Sequence, residues 1–435
     1  MSTPVVKQLP LSPNLAKSGL TSQRNDVGLY NLNNLPVNSG KYVAQDQTPV
    51  VITRSSPAVT QNPVSGGMEL VPTNSPAFGD IGLQIGRQTI NELSNSDMRN
   101  GTTGYTLVDL GTIVTVFSTT SSGVEESDTA IKITVNNTTG IAQFVEVYQT
   151  ISGALSGETW NAQGSLKIVS SSATVAGLIR VVDQDNATIT SSNFTSSANV
   201  FTRATAIQTL GGNSNDLRWS VQFQVPNTDT FDVLITNAAL VESPWTPHYV
   251  PSETGPTTRA TDVVDVGATS LPFFTHAVDE MWSIDFRTLG PLTTVAGASQ
   301  LQYLMSTYNG VNGTNLFVDD VNTITWEADF NGSPESTTVV VAGLGQTPHR
   351  AYMRILDDGA GGYDRELFVE NLTTGAITAS TLLNTTNLPV QGDILKLGRD
   401  DADANILDGF LGRLVFWDNR SNQSMNRINN NWPTP

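Results

Sequence analysis

Glu327 and Asp329, in the run ITWEADF (324–330), are the two acids best spaced to act on one reacting group. On a strand, residues i and i+2 share a face, so both carboxylates would project to the same side. Glycan cleavage needs such a pair, one carboxyl as acid and the other as nucleophile or base. The third acid of an E-x-D-x-E row is missing, because position 331 is Asn, and the pair reads as the wet face of a half-buried strand. Glu125–Glu126 and Glu366 have no readable partner. His248, His276 and His349 are scattered and the chain has no cysteine, so neither a zinc site nor a Ser-His-Asp triad finds support. GLGQ (343–346) reads as a turn and no phosphate-cradling loop is present. The expectation is that the chain is not an enzyme.

Oxygen ligands crowd one turn, at Asp400, Asp401, Asp403, Asn405 and Asp408. Such spacing suits Ca²⁺, but the EF-hand pattern fails, since Ile406 and Gly412 stand where Gly and Glu are required. The alternative is a solvated acidic hairpin, and the same two readings apply, the ion less strongly, to Asp357, Asp358 and Asp364 beside GAGG (359–362). Ca²⁺ on Asp400, Asp401, Asp403 and Asn405 is the one candidate ion, and no other cofactor is expected. Among the aromatics, Trp160, Trp219, Trp282, Trp326 and Trp417 fall in strand-like runs and read as core. Trp245, Tyr249 and Trp432 fall outside such runs and are the candidates for stacking on a sugar ring, or else for packing on a neighbouring domain.

These residues must be positioned by strands. Only 14% of the chain is charged, and its polar residues are mainly Asn, Thr, Ser and Gly, which suits a turn-rich all-β surface. At 435 residues, two or three domains are expected. AIKITV (130–135) sets Ile131, Ile133 and Val135 on one face, and RWSVQFQV (218–225) does the same with Trp219, Val221, Phe223 and Val225. TFDVLITNAALVE (230–242) aligns Phe231, Val233, Ile235, Ala239 and Val241. Further on, WSIDF (282–286) buries Trp282, Ile284 and Phe286, LQYLM (301–305) alternates Leu301, Tyr303 and Met305, and ITWEADF alternates Ile324, Trp326, Ala328 and Phe330. Period-2 alternation with one wet face argues antiparallel sheets.

Between the two halves lies PWTPHYVPSETGPTTRATD (244–262), with Pro244, Pro247, Pro251 and Pro256. Proline fixes φ and removes a donor, so this stretch reads as a stiff, extended connector. The fold expected is all-β: two antiparallel β-sandwich modules of jelly-roll type in tandem, behind an extended N-terminal arm. Pro4, Pro10, Pro13 and Pro36 punctuate residues 1–60, which show no core. Val5, Val6, Leu9, Leu11, Leu15 and Leu20 are spread along them, as in an arm that anchors residue by residue in the grooves of a partner. Thr53–Arg54–Ser55, Thr202–Arg203–Ala204 and Thr258–Arg259–Ala260 are too unevenly spaced for a repeat, and the outer two open module connectors. The net charge of −18 predicts repulsion from nucleic acid and anionic lipid. No apolar run suggests a membrane span, and the first thirty residues lack the order of a signal peptide.

The connector resembles the junction in bacteriophage head-fibre, head-spike and tail-fibre proteins that join a carbohydrate-binding-module-like sandwich to a laminin-G-like, concanavalin-type one. The residues that carry the resemblance are Pro244, Thr246, Tyr249, Val250, Pro251, Glu253, Gly255, Thr258, Arg259, Ala260 and Asp262. His248 stands where that group usually has Ser, and Thr261 where it has Ala. Thr53, Arg54, Ser55, Asn74, Pro76, Phe78, Gly82, Leu83, Ile85, Leu93, Asn95, Ser96 and Asp97 are similar to a segment upstream of these sandwiches, with Gly86 in place of the usual Glu and Ile90–Asn91 in place of Asn–Leu. ITNAALVES (235–243) resembles the closing strand of the first sandwich type, and Leu397, Gly398, Gly409, Gly412, Leu414 and Trp417 resemble the close of the second.

The resemblance implies an anchoring arm over 1–60, a covering segment of the first module over 61–104, a carbohydrate-binding-module-like sandwich over 105–243, the connector over 244–262 and a laminin-G-like sandwich over 263–435. It implies a virion structural protein, made in the host cytoplasm and displayed on the particle as a head fibre, spike or decoration, with tail fibre next. Capsid or tail proteins, a homotrimer of the chain itself and, weakly, host-surface glycans are its implied partners. A secreted lectin and a polysaccharide-degrading enzyme are the alternatives; the first requires an export signal and the second an acid pair.

Overall fold

The computed structural model describes residues 27–31, 37–38, 41–42, 50–61, 68–78, 82–121, 129–153, 155–169, 175–195, 201–227, 229–244, 246–266, 281–289, 301–319, 322–330, 332–345, 347–381, 383–385, 394–400, 402 and 405–417. Among them there is no helix, and the strands build two antiparallel β-sandwiches.

In the first sandwich, one sheet runs Val114–Ser121, Thr129–Asn136, Thr230–Glu242, Thr159–Val169, Thr202–Thr209. The other runs Thr188–Thr195, Ala176–Asp183, Asp216–Val225, Gln143–Ser152, Thr106–Asp109. Their inner faces share one core, in which Ile131, Ile133, Val135, Trp219, Val221, Phe223 and Val225 are buried as the alternation requires. Trp219 meets its one polar need by donating Nε1–H to the Gln163 carbonyl at 2.8 Å.

Alternation fails inside Thr230–Glu242. The pairing jumps from Ser165–Thr236 to Gln163–Ala239, so Asn237 and Ala238 together oppose Gly164, and Asn237 has φ 51°. This is a β-bulge, and the extra residue exchanges the two faces beyond it. Ala238 and Leu240 therefore enter the core, while Ala239 and Val241, expected to point inward with Phe231, turn outward and pack with Val59 and Tyr249. A second register shift, between Tyr303 and Met305, corrects LQYLM in the same way. Leu304 and Met305 are both buried, and Tyr303 turns away to stack on Phe317 at 5.0 Å.

In the second sandwich, one sheet runs Val27–Asn31, Gly409–Trp417, Met281–Thr288, His349–Asp357, Tyr363–Asn371, Ile377–Ala379, with Leu83–Ile85 also on Gly409–Trp417. The facing sheet runs Ser333–Val340, Thr323–Phe330, Gly313–Val318, Gln302–Ser306, Leu395–Leu397, Val263–Val266, Val50–Thr53. Trp282 meets Trp326 edge-on at 5.4 Å in the centre of this core.

Two expectations about the N-terminal part are corrected. Residues 1–60 are not a free arm throughout: Val27–Asn31 pairs along Gly409–Trp417, and Val50–Thr53 pairs with Val263–Val266, burying Val50 and Ile52. Four residues of alternation between proline-rich stretches were too few to read as a core strand. Residues 61–104 do not cover the first sandwich alone. Leu83 and Ile85 enter the second core, whereas Leu93 and Met98 enter the first.

Candidate functional site

The segment that crosses from one core to the other makes a seam, and the seam is polar at its centre. Asp262 closes the connector, and its carboxylate lies between two guanidiniums. Arg54 Nη1 donates to Oδ1 at 2.8 Å and Arg259 Nη2 donates to Oδ2, all three side chains being 1% exposed. The Gly86 amide adds a third donor at 2.9 Å, and the Asp262 amide returns a bond to the Gly86 carbonyl at 3.0 Å. Arg54 spends its remaining donors on the carbonyls of Ser56, Pro72 and Ser75, at 2.9, 2.9 and 3.1 Å. A buried carboxylate is tolerated only when its lone pairs are filled in this way.

Gly86 is required here by space. A Cβ at that position would lie 2.2 Å from Arg259 Nη1 and 2.9 Å from His248 Cδ2. His248 is buried against Phe410, with Nε2 3.1 Å from the Ile85 carbonyl and 3.5 Å from Asp408. Burial, and then the nearby Arg259 and Arg287 guanidiniums, hold its pKa well below the ordinary histidine value despite its hydrogen bonds to the main chain of Ile85 and Gly409. Arg87 reaches the second sandwich, donating to the carbonyls of Ile406 at 2.6 Å and Leu301 at 2.8 Å.

The connector is not a free spacer. Asn91, fully buried, gives its amide hydrogens to the carbonyls of Ala238 and Val250 and accepts from the Leu240 amide. The Ser96 carbonyl takes the Ala238 amide at 3.1 Å, and the Ser96 hydroxyl contacts the Tyr249 hydroxyl at 3.1 Å. Gln163 Nε2 donates to the Pro247 carbonyl at 3.2 Å, and Asn161 Nδ2 to the Thr246 hydroxyl at the same distance. The proline-rich stretch thus lies across the outer face of the Thr230–Glu242 sheet, its donors and acceptors met by side chains where proline removes the ladder. Arg203 stands over the Tyr249 ring at 5.3 Å, and burial pushes its pKa down to about 10, partly opposed by Tyr249.

Where the seam meets solvent it leaves a cleft of about 190 Å³. Tyr249 and Val250 of the connector, Leu70 and Asp97 of the crossing segment and Asn237 of the bulge line it. Asp97 is bonded to Arg99 at 3.1 Å, and Arg99 to Glu253 at 3.2 Å. Burial still raises the Asp97 pKa, opposed by its bonds to Arg99.

The site residues expected from the sequence are not brought together. Tyr249 is 4% exposed, so it is corrected from an exposed stacking platform to a wall of the seam. Trp245 and Trp432 lie outside the described residues, as do Asp401, Asp403, Val5, Val6, Leu9, Leu11, Leu15 and Leu20. Asp400 is buried and accepts from the amide and the side chain of Asn405, at 3.2 and 2.6 Å, so these two satisfy each other within the turn. Among the described residues no three His, Asp or Glu side chains group as metal ligands. Glu327 accepts from Asn315 Nδ2 at 3.1 Å. Trp160, Trp219, Trp282 and Trp326 are core residues. Sequence reasoning missed Asn237, and it read Arg54 and Arg259 as residues of the connector resemblance and of repeated triplets, not as partners of Asp262; the recurrence of Thr-Arg at both module boundaries was the available signal.

No family model and no curated protein sequence matches the chain. Among solved structures it is similar to the CBM40 of the Ruminococcus gnavus IT-sialidase, at 15% identity and TM-score 0.26 over 35% of this chain and 84% of that one. It is also similar to domains LG4-5 of the mouse laminin α1 chain, at 11% identity and TM-score 0.20 over 61% of this chain and 86% of that one. The CBM22-1–CBM22-2 tandem domain of Paenibacillus barcinonensis Xyn10C gives 11% identity and TM-score 0.22 over 77% of this chain and 97% of that one. These neighbours are carbohydrate-binding modules and laminin G domains, and the sandwich architecture of this chain stands on its own sheets.

Proposed function

We propose that this chain is a structural protein of a bacteriophage particle, displayed on the head as a fibre, spike or decoration, with the tail as the second placement, and that it adheres weakly to host-surface glycans. One observation supports this above the others. The positions that carry the resemblance to phage appendages, among them Arg54, Arg259 and Asp262, are the buried joint of the seam. The shared motif is thus a mechanical device that locks two sandwiches together, as suits a displayed rigid part. No turnover is expected: Glu327 is engaged with Asn315, and no second acid is paired with it among the described side chains. The reading includes a homotrimer and an anchor in residues 1–26 that docks on a capsid or tail protein. Cryo-electron microscopy of the virion is the test. Density for the paired sandwiches on the particle is the expected result, and their absence from purified virions overturns the assignment. Release of reducing ends from polysaccharide, abolished by Glu327→Gln, would overturn the non-enzymatic part.

A further inference from the structure

We propose that the seam cleft binds one uncharged sugar ring, with Asn237 as the acceptor that recognises a ring hydroxyl. This rests on the glycan-adhesion reading and places the contact at the joint between the sandwiches.

Asn237 is the reason. It is the first residue of the bulge, sits at φ 51° and is 2% exposed. Its Oδ1 has no hydrogen-bond partner, while its main-chain carbonyl accepts from Arg203 Nη1 at 3.4 Å. Buried carbonyl oxygens without donors are uncommon and costly, and bulges recur where a strand must re-aim a side chain at a ligand. Without the bulge, residue 237 would continue the alternation of the strand rather than line the cleft. A ligand hydroxyl supplies the missing donor.

Size and charge narrow the class. The cleft holds about 190 Å³, below the roughly 300–1,000 Å³ of sites for drug-sized ligands, so it takes a single ring and not a chain. Leu70, half exposed, and Val250 give an apolar wall for the C–H face of a pyranose. Asp97 and Glu253 outnumber Arg99 at the rim, on a chain of net charge −18, so carboxylated or sulfated sugars are repelled.

The test is titration of the full-length protein by ligand-observed NMR with the methyl glycosides of glucose, galactose, mannose and N-acetylglucosamine, and with methyl glucuronide as the charged control. At least one neutral glycoside should bind with Kd on the order of 1 mM, and the glucuronide about tenfold more weakly. Asn237→Gly keeps the left-handed backbone while removing the amide, and Leu70→Glu alters a half-exposed wall position; each should weaken binding about tenfold with Tm held within a few degrees. The cleft is overturned if no neutral glycoside saturates, if the glucuronide binds equally well, or if both variants bind as the parent does. Adhesion to whole-cell polysaccharide, measured in parallel, separates the two readings. Variants that adhere like the parent remove the cleft and leave adhesion standing; glycoside binding without polysaccharide adhesion does the reverse.

Discussion

Arg54 and Asp262 are 208 positions apart and pair at 2.8 Å with both side chains 1% exposed. The contact closes the chain over the whole first sandwich. It places the strand Val50–Thr53 beside Val263–Val266 and leaves the first sandwich as an insertion between them. The joint between the modules is therefore continuous with the second core.

Asp262→Ala should destabilise the protein by about 3–5 kcal/mol, because it leaves the Arg54 and Arg259 guanidiniums buried without their shared anion. Urea denaturation measures this. A change under about 1 kcal/mol would mean that the pair is solvated and that the seam does not depend on it.

Gly86→Ala tests packing at the same point. The new methyl would meet Arg259 Nη1 at 2.2 Å, and the guanidinium must move off Asp262 to make room. A loss of about 1–3 kcal/mol is expected, together with weaker protection of the seam amides in hydrogen exchange. An unchanged melting curve would contradict the tight contact.

His248 gives the seam a pH dependence. Its folded pKa is held well below 6.5 by burial, and then by Arg259 and Arg287, opposed by its hydrogen bonds to the main chain of Ile85 and Gly409. The unfolded chain binds a proton at about pH 6.5 that the folded chain refuses, so stability is present above that value and is lost as pH falls below it. Compared with His248→Gln, the parent should lose up to about 1.4 kcal/mol per pH unit on going below the ordinary histidine value. Other titrating groups cancel in that difference. Parallel stability curves for the two proteins from neutral to mildly acidic pH would refute the assignment.

Protease should spare the connector. Tyr249, Val250, Ser252, Arg259 and Asp262 are all buried, and cleavage requires an extended, accessible backbone. Limited trypsin digestion followed by mass spectrometry should give no early cut after Arg259. An early cut there would show that the two sandwiches are joined by an open linker.

Anchoring is tested by deleting residues 2–26, which leaves Val27–Asn31 in place against Gly409–Trp417. The shortened protein should keep its circular dichroism and melting temperature but fail to assemble onto particles lacking the native copy. Assembly equal to that of the full chain would locate the anchor in a sandwich.

The sequence by itself determined the strands whose alternation is local and unbroken. Ile131, Ile133 and Val135, or Trp219, Val221, Phe223 and Val225, can be placed on one face because side chains alternate along any strand, whatever its partner. It also determined the proline-rich stretch between modules. Tertiary structure alone decided that His248, Tyr249, Val250, Ser252, Arg259 and Asp262 of this stretch are buried, because proline sets backbone geometry and says nothing about which side chains will receive it. The same holds for the bulge at Asn237, where one inserted residue exchanges Ala239 for Ala238 in the core; the shift is defined by the partner strand, which a single run of residues does not contain. Arg54, Arg259 and Asp262 were visible as residues of a motif, yet their pairing depends on two segments brought together by everything that lies between them.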